Sequence, residues 1–392
     1  MAQITTINAW KYIVDEALAA LSNIDSNETK IAWFGLNGHA TFIQKALVSK
    51  GKRIHYIIDN DADKWGICLE DDLIVFPVEQ IVNNYKDNAI FLISSEYHQE
   101  MRQQLLGMGV VNSKIISLPS PNECQIKATD YLLKQTAGLQ KMELREIQLA
   151  LLEIMKVFRD FCNSNGLRYF LAGGTLIGAI RHKGFIPWDN DADFYMPSED
   201  YRRFINLFPV SGRYEVVNWE KNIEYPFEFT NIVDNHTLMV NSVFYPIKWL
   251  QNLGVDVFPI SGFPCEEKAY EEKHRRNLEL DRKWYWYQNA NSLGIEGIHD
   301  CRRDIYELAN NMPFDGSPLI VKTHHLNIKR MWSVPHSVFE KAIQVEFEGE
   351  LFSAPIGYDY YLKHRFGDYM QIPPENERFV HNSIPFWKEG VK

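Results

Sequence analysis

The 392-residue chain has no cysteine pair, no long apolar run and no excess of positive charge. Its five cysteines, Cys68, Cys124, Cys162, Cys265 and Cys301, are dispersed with no CxxC spacing. That pattern excludes a zinc knuckle or a disulfide framework and indicates reduced thiols, several of them small core residues. No apolar run approaches the ~18 residues of a membrane span. The first residues, Met1–Thr5, lack the charged-then-apolar layout of a signal peptide. A cytoplasmic protein is therefore expected, with membrane association at most peripheral. The net charge of −10 leaves no broad basic face for nucleic-acid phosphates. A local basic pocket for one nucleotide remains compatible with it.

The length favours two domains. Residues 30–118 alternate short apolar strands with amphipathic helices. Ile31–Phe34 is followed by a turn with Gly35 and Gly38 and a helical run to about Lys50. Strands over Arg53–Ile58, ending at Asp59, and over Ala89–Ser94 come next. This is the order of a Rossmann-like βαβ unit. Its glycines, Gly35-x-x-Gly38, fall short of GxGxxG, so a dinucleotide cofactor is the lesser reading. An α/β unit that binds another ligand, or only docks to the rest of the chain, is the plainer one. Residues 121–165 read as helical, with Leu144, Ile147, Leu151, Ile154, Met155 and Phe158 on one face and a stop at Asn165-Gly166. The fold expected is α/β and α+β in three parts. Residues 1–120 form the N-terminal unit, 121–140 a linker and helix start, and 141–392 a second domain. The boundary falls where Pro119, Pro121 and polar residues loosen the pattern.

The densest chemistry lies between Gly173 and Phe194. A strand over Trp188–Tyr195 would turn Asp189, Asp191 and Asp193 to one face, because strand side chains alternate. Like charges so placed repel unless a cation or a set of donors neutralises them. Hard oxygen ligands with no adjacent His or Cys favour Mg²⁺ or Mn²⁺ over Zn²⁺. Gly173 and Gly174 let the backbone approach a phosphate with no Cβ in the way, and Thr175 adds a hydroxyl. A helix starting over Leu176–Ile180 would aim free N–H groups at an anion. Arg181 and Lys183 flank His182 in a compact cationic cluster suited to phosphate oxygens. Tight packing alone also accounts for a Gly-Gly pair before a helix; the acids beside it favour the phosphate reading. Asp256, a lone acid in the apolar strand Gly254–Phe258, is a metal ligand or a general base, with a surface turn as the plain alternative. The combination reads as metal-assisted phosphoryl or nucleotidyl transfer.

The runs Arg145–Gln148 and Tyr169–Asp193 are followed in order by Asp256–Gly262, Gly357–Leu362, Phe366–Met370, Pro373, Pro374, Arg378 and His381. Together these segments closely resemble the LicD family over about residues 140–385. That family includes bacterial phosphocholine transferases and is related to fukutin-type ribitol-phosphate transferases. The resemblance implies a LicD-type nucleotidyltransferase fold, with Mg²⁺ or Mn²⁺ on Asp191 and Asp193 and with Asp256 as third acid. It makes Gly173, Gly174 and Thr175 the phosphate turn, and Asp189 a ligand or the neighbour of one. It further implies transfer of a substituted phosphate, such as phosphocholine, from a CDP-linked donor to a hydroxyl of a cell-surface glycan or lipid-linked oligosaccharide. CMP would be released, in lipopolysaccharide or capsule biosynthesis. Many members read Trp-Asp-Asp-Asp where this chain has Asn190, which in a strand points away from the acids. The zinc-binding cysteines of some animal relatives have no counterpart here. Arg378 and His381 are expected to bind donor phosphate or acceptor, unless they serve only the surface. More loosely, Phe34–Gly38, Asp59–Asp61 and Lys64–Gly66 resemble the Rossmann-like modules attached to carbohydrate-modifying enzymes. No catalytic residue is expected there.

Two other readings stay open. One is a nucleotidyltransferase acting on an NTP and a small phosphate or sugar, and the other a catalytically idle nucleotide-binding scaffold. Three like charges placed together count against the scaffold. Trp284–Tyr287 reads first as packing and second as a stack for cytosine or a cage for a quaternary ammonium. Trp219, Tyr225, Phe227, Tyr245 and Trp249 are undistinguished from core aromatics. His324 and His325, being adjacent, read as a polar turn rather than a metal pair.

Overall fold

A computed structural model describes residues 10–24, 28–36, 43, 47–48, 50–66, 73–209, 212–221, 225, 229–241, 252–273, 275–276, 303–304, 306–308, 310–322, 333–378, 380, 383–388 and 390. The N-terminal part is built on five parallel strands. They are β1 (Lys30–Phe34), β2 (Tyr56–Asp59), β3 (Val75–Pro77), β4 (Ala89–Ile93) and β5 (Ile115–Ser117), ordered β3-β2-β1-β4-β5. Ile31 and Trp33 of β1 face a core shared with the helices Trp10–Ala20 and Pro121–Gln135. Ala32 and Phe34 face the opposite core, shared with the helices Val78–Tyr85 and His98–Gly107. Both faces are thus covered, as a parallel sheet requires, which explains why these strands are unbroken apolar runs.

The strand expected from Arg53 begins at Tyr56, and the helix expected after Gly38 lies mostly outside the described residues. The loosened segment at Pro119–Pro121 turns out to be a helix start. Ser120 caps Pro121–Gln135 by accepting from the Glu123 amide at 3.3 Å, while Glu123 accepts from the Ser120 amide at 2.7 Å. Pro121 sits at the first helical position, where its missing N–H costs nothing. The expected linker, 121–140, therefore holds a full helix and the start of β6 (Gln140–Lys141).

The second part is organised by the helix Leu144–Asn165. Ile147, Leu151, Ile154, Met155 and Phe158 are buried as expected, Leu144 is exposed in the first turn, and Gly166 closes the helix at φ +60°. Phe158 is the hub of its packing. Its ring meets Phe194 at 4.5 Å, Phe204 at 5.2 Å and Tyr169 at 5.3 Å. The sheet beneath contains β7 (Phe170–Leu171), β8 (Asp193–Pro197), β9 (Tyr214–Val217) and β10 (Thr230–Asp234). A short strand, β11 (Thr237–Asn241), is set apart from it. The long β12 (Gly254–Phe263) is central, followed by β13 (Leu319–Lys322) and β14 (Val334–Pro335). The order is β14-β13-β12-β10-β9, with β8 parallel to β12 and β7 antiparallel to β8. A hairpin of β15 (Ala342–Phe347) and β16 (Glu350–Pro355) and the helix Tyr358–Phe366 follow, before β17 (Ser383–Trp387) pairs with both β11 and β6. Among the described residues no helix is long and apolar enough to cross a membrane.

Candidate active site

The strand expected over Trp188–Tyr195 begins only at Asp193, so Asp189 and Asp191 lie on the preceding loop. That loop is nevertheless extended in its pattern. Asn190 and Ala192 are buried while Asp189, Asp191 and Asp193 are only half-buried, which preserves the alternation without a ladder. Asp256 lies directly across from Asp193 in the parallel pairing of β12 with β8, and its amide donates to the Ala192 carbonyl at 2.9 Å. Register partners share a face, so the two carboxylates project side by side. Asn231, opposite Asp256 on β10, donates its side-chain amide to Asp256 Oδ1.

The helix Gly173–His182 starts against these acids. A methyl group on Gly173 would stand 3.0 Å from Asp193 Oδ2, and one on Gly174 3.0 Å from Asp189 Oδ2. Gly173 also has φ +50°, which other residues rarely adopt. Its amide donates to the Tyr361 hydroxyl, which in turn lies 3.0 Å from that of Tyr195. Thr175 is buried, and its Oγ1 accepts from the Asp193 amide at 2.8 Å, so it fixes the strand start. The helix begins at the glycines themselves, three residues before the start expected at Leu176.

Burial raises the Asp189 carboxyl to about 9, with the neighbouring charges of Asp191 and Asp193 adding to the effect. Among the described residues no three His, Cys, Asp or Glu side chains form a ready-made metal cage. The side chains gathered here offer carboxylate oxygens, donors that suit Mg²⁺ or Mn²⁺ better than zinc. Mg²⁺ is usually held by one or two carboxylates, with waters and substrate phosphates completing the shell. Crowded carboxylates are the donor set such an ion takes.

The other expected site residues are placed as follows. Arg181 donates through Nη1 to the carbonyls of Tyr369 at 2.6 Å and Gln371 at 3.1 Å, and through Nε to His182. Its guanidinium thus ties down the 369–371 segment. Lys183 is exposed at φ +58°, just past the helix end, and its carbonyl accepts from Glu348. Arg378 stacks over Trp188, 4.3 Å from the ring centre, which brings a cation to the residue preceding Asp189. Its Nε donates to the Pro373 carbonyl. His381, Trp284–Tyr287, Phe227, Tyr245, Trp249, His324 and His325 lie outside the described residues. Trp219 and Tyr225 are core residues. Cys124 and Cys162 are buried thiols, and Cys265 is an exposed one.

Four residues that motif reading left without a role act on the acids or on the loop that carries them. Buried Gln148 donates to the Asp189 carbonyl at 3.1 Å. Arg145 holds Gln148 at 3.2 Å and grips Glu348 with two hydrogen bonds, of 2.6 and 3.1 Å. Glu348, at φ +53° in the turn of the β15–β16 hairpin, accepts from the Phe185 amide at 3.2 Å. Its carboxyl is held below the usual range by Arg145. The fourth is Lys322 on β13, 3.3 Å from the centre of the Phe258 ring. Burial lowers it to about 8, against the pull of Asp193, Asp256 and Asp191. Arg145 and Gln148 stood in the recognised run, but their contacts span 203 and 41 residues, and no local pattern encodes those.

Acids paired across adjacent parallel strands, beside a glycine-led helix, define a phosphate-handling class of site. Comparison with known proteins narrows that class. Residues 166–287 match the family model described as LicD/FKTN/FKRP, nucleotidyltransferase domain. The lipopolysaccharide cholinephosphotransferase LicD of Haemophilus influenzae is 31% identical over 265 residues, 62% of this chain and 97% of that protein. An uncharacterized protein of Rickettsia typhi is 32% identical over 80 residues, 20% of this chain and 26% of its own. The ribitol 5-phosphate transferase FKRP of Mus musculus is 34% identical over 102 residues, 25% of this chain and 21% of that protein. The chain belongs to the LicD family and is a LicD-type phosphotransferase.

Proposed function

We propose that the protein transfers a substituted phosphate, such as phosphocholine, from a CDP-linked donor to a hydroxyl of a cell-surface glycan or its lipid-linked precursor, releasing CMP. The observation that carries this reading is the register of Asp193 with Asp256, beside Asp189 and Asp191 and under the first turn of the Gly173–His182 helix. The two named relatives are transferases of choline phosphate and ribitol phosphate, which are the same chemical kind of group.

Asp191, Asp193 and Asp256 would hold Mg²⁺ or Mn²⁺, with Asp189 as a further ligand or neighbour. Bound metal supplies neutralisation of the donor diphosphate and of the leaving CMP. The acceptor hydroxyl oxygen forms a bond to the phosphorus of the head-group phosphate, and the bond from that phosphorus to the CMP oxygen breaks. The hydroxyl proton passes to a carboxylate of the row. Asp256, which Asn231 orients through one oxygen, takes it where its other oxygen is not on the metal. Gly173 leaves the approach open and Gly174 brings an amide donor to the diphosphate, while Thr175 keeps Asp193 in register. Arg181 acts by holding the 369–371 segment, leaving Lys183 and Arg378, with His381, to meet donor or acceptor. In this reading the five-stranded parallel unit is a Rossmann-like accessory domain, and the enzyme works in the cytoplasm.

Purified protein, incubated with Mn²⁺, a panel of CDP-linked donors and a glycan extract, tests this by mass spectrometry. The expected result is CMP from one donor and a matching mass gain on a glycan. Pyrophosphate from CTP, with no CMP from any donor, would replace the reading with nucleotidyl transfer.

A further inference from the structure

We propose that Lys322 is a donor-binding residue whose ammonium takes a phosphate oxygen of the diphosphate at the end of the acid row. The inference rests on the phosphotransfer reading above and deepens it. Lys322 is the register partner of Ile260 on β12, and Ile260 is paired on its other side with Pro197 of β8. Alternation then places Lys322 on the same sheet face as Phe258 and Asp256, and as Tyr195 and Asp193. Its side chain reaches back along that face, so that Nζ stands over the Phe258 ring at 3.3 Å and 5.9 Å from the centre of Tyr195. Phe258 is the next residue on this face after Asp256, so the ammonium stands one position from the acids.

The surroundings of this cation and the charge balance of the site direct it towards a bound anion. Arg365, on the helix Tyr358–Phe366, also acts on Lys322 electrostatically, against the stronger pull of Asp193 and Asp256. The same helix carries Tyr361, which receives the Gly173 amide and meets Tyr195. Acids at one end of the face and the Lys322 ammonium one position further along make a bipolar surface, and a metal-complexed diphosphate has matching polarity. The carboxylates of Asp191, Asp193 and Asp256 together outweigh one divalent cation, and a donor diphosphate adds more negative charge. Nearby cations are therefore needed to bind it. Lysine suits the place because it is a compact charge on a flexible stem with three donors, a common way of holding phosphate.

The test uses the whole protein and inorganic pyrophosphate, a probe that carries the diphosphate and no nucleoside. Calorimetry would compare Mn²⁺ binding alone with pyrophosphate binding in saturating Mn²⁺, for wild type, Lys322→Met and Lys322→Arg. The expected result is a loss of about tenfold to a hundredfold in pyrophosphate affinity for Lys322→Met, the worth of one hydrogen bond to a charged group. Lys322→Arg should restore most of it, and Mn²⁺ binding should not weaken in either. Lys322→Gln serves the same comparison should Lys322→Met not fold. Unchanged pyrophosphate affinity in the neutral variant overturns the proposal, as does a parallel loss of Mn²⁺ binding or failure of the wild type to bind pyrophosphate. Running CDP beside pyrophosphate separates the two readings. A wild type that binds pyrophosphate through Lys322 but not CDP retains the lysine's role and removes the cytidine donor.

Discussion

Each half of the molecule places aspartates at strand ends, and the two halves treat them in opposite ways. In the N-terminal sheet, buried Asp59 ends β2, where a dinucleotide-binding unit would set a ribose-binding acid. Its carboxylate is taken up by its own surroundings. Oδ2 accepts from the Leu36 amide at 2.7 Å and Lys64 Nζ at 3.2 Å, and Oδ1 from the Asp61 amide at 2.9 Å. In the second half, Asp189 on the loop before β8 is held against Asp191 and Asp193, and Asp193 lies across from Asp256. An acid surrounded by donors stabilises a turn, whereas acids set against acids cost stability that a bound cation recovers. The same residue type is architecture in one half and, in the function proposed, a ligand set in the other.

The sharpest way to break this comparison is to remove one acid from each half. Asp193→Ala or Asp256→Ala should lower CMP release by about a thousandfold or more, since each removes direct stabilisation of charge at the reacting phosphate. The melting temperature of the metal-free variant should hold or rise, because one repulsion is gone. Near-normal turnover in either variant would sink the assignment. Asp59→Ala should do the reverse. Losing the acceptor for two amides should cost about 1–3 kcal/mol in urea unfolding, with the rate per folded molecule unchanged.

A smaller effect is expected at the support of the loop. Gln148→Leu frees the Asp189 carbonyl and should reduce kcat by about tenfold to a hundredfold, as misplacement of a reacting group does. KM should move little, and Gln148→Glu should not rescue the rate, because it lacks the amide donor. A change in KM alone would mean that Gln148 does not act through the loop. The smallest effect is a pH signature. The Glu348 carboxyl lies below the ordinary glutamate value of about 4.3, held there by Arg145. Its stabilisation is therefore complete above that value and is lost as pH falls through the lowered folded pKa. Glu348→Gln should lack this acid-side component in thermal melts from pH 6 downward, taken as roughly the span of carboxylate titration. An identical acid profile would place the stabilisation elsewhere.

The parallel sheet was legible because its strands are apolar and its turns carry glycine. Asp256 stood out as one acid in an apolar strand, and it falls on β12 as the pattern required. What was not legible depends on partners distant in sequence. Asp189 and Asp191 show strand-like alternation without a strand, because the register with β12 begins only at Asp193. The cationic cluster at Arg181 and Lys183 suggested a phosphate clamp, yet backbone carbonyls at Tyr369 and Gln371 take the Arg181 guanidinium. Lys322 sits in an undistinguished strand, and only the pairing of β13 with β12 brings it to the acids.

The most direct test of the central claim is calorimetric Mn²⁺ titration of the wild type, Asp193→Asn and Asp59→Asn. The account predicts binding in the wild type and in Asp59→Asn, and a loss of about tenfold or more in Asp193→Asn, where a charged ligand becomes neutral. Equal Mn²⁺ affinity in wild type and Asp193→Asn, or a loss confined to Asp59→Asn, would contradict it.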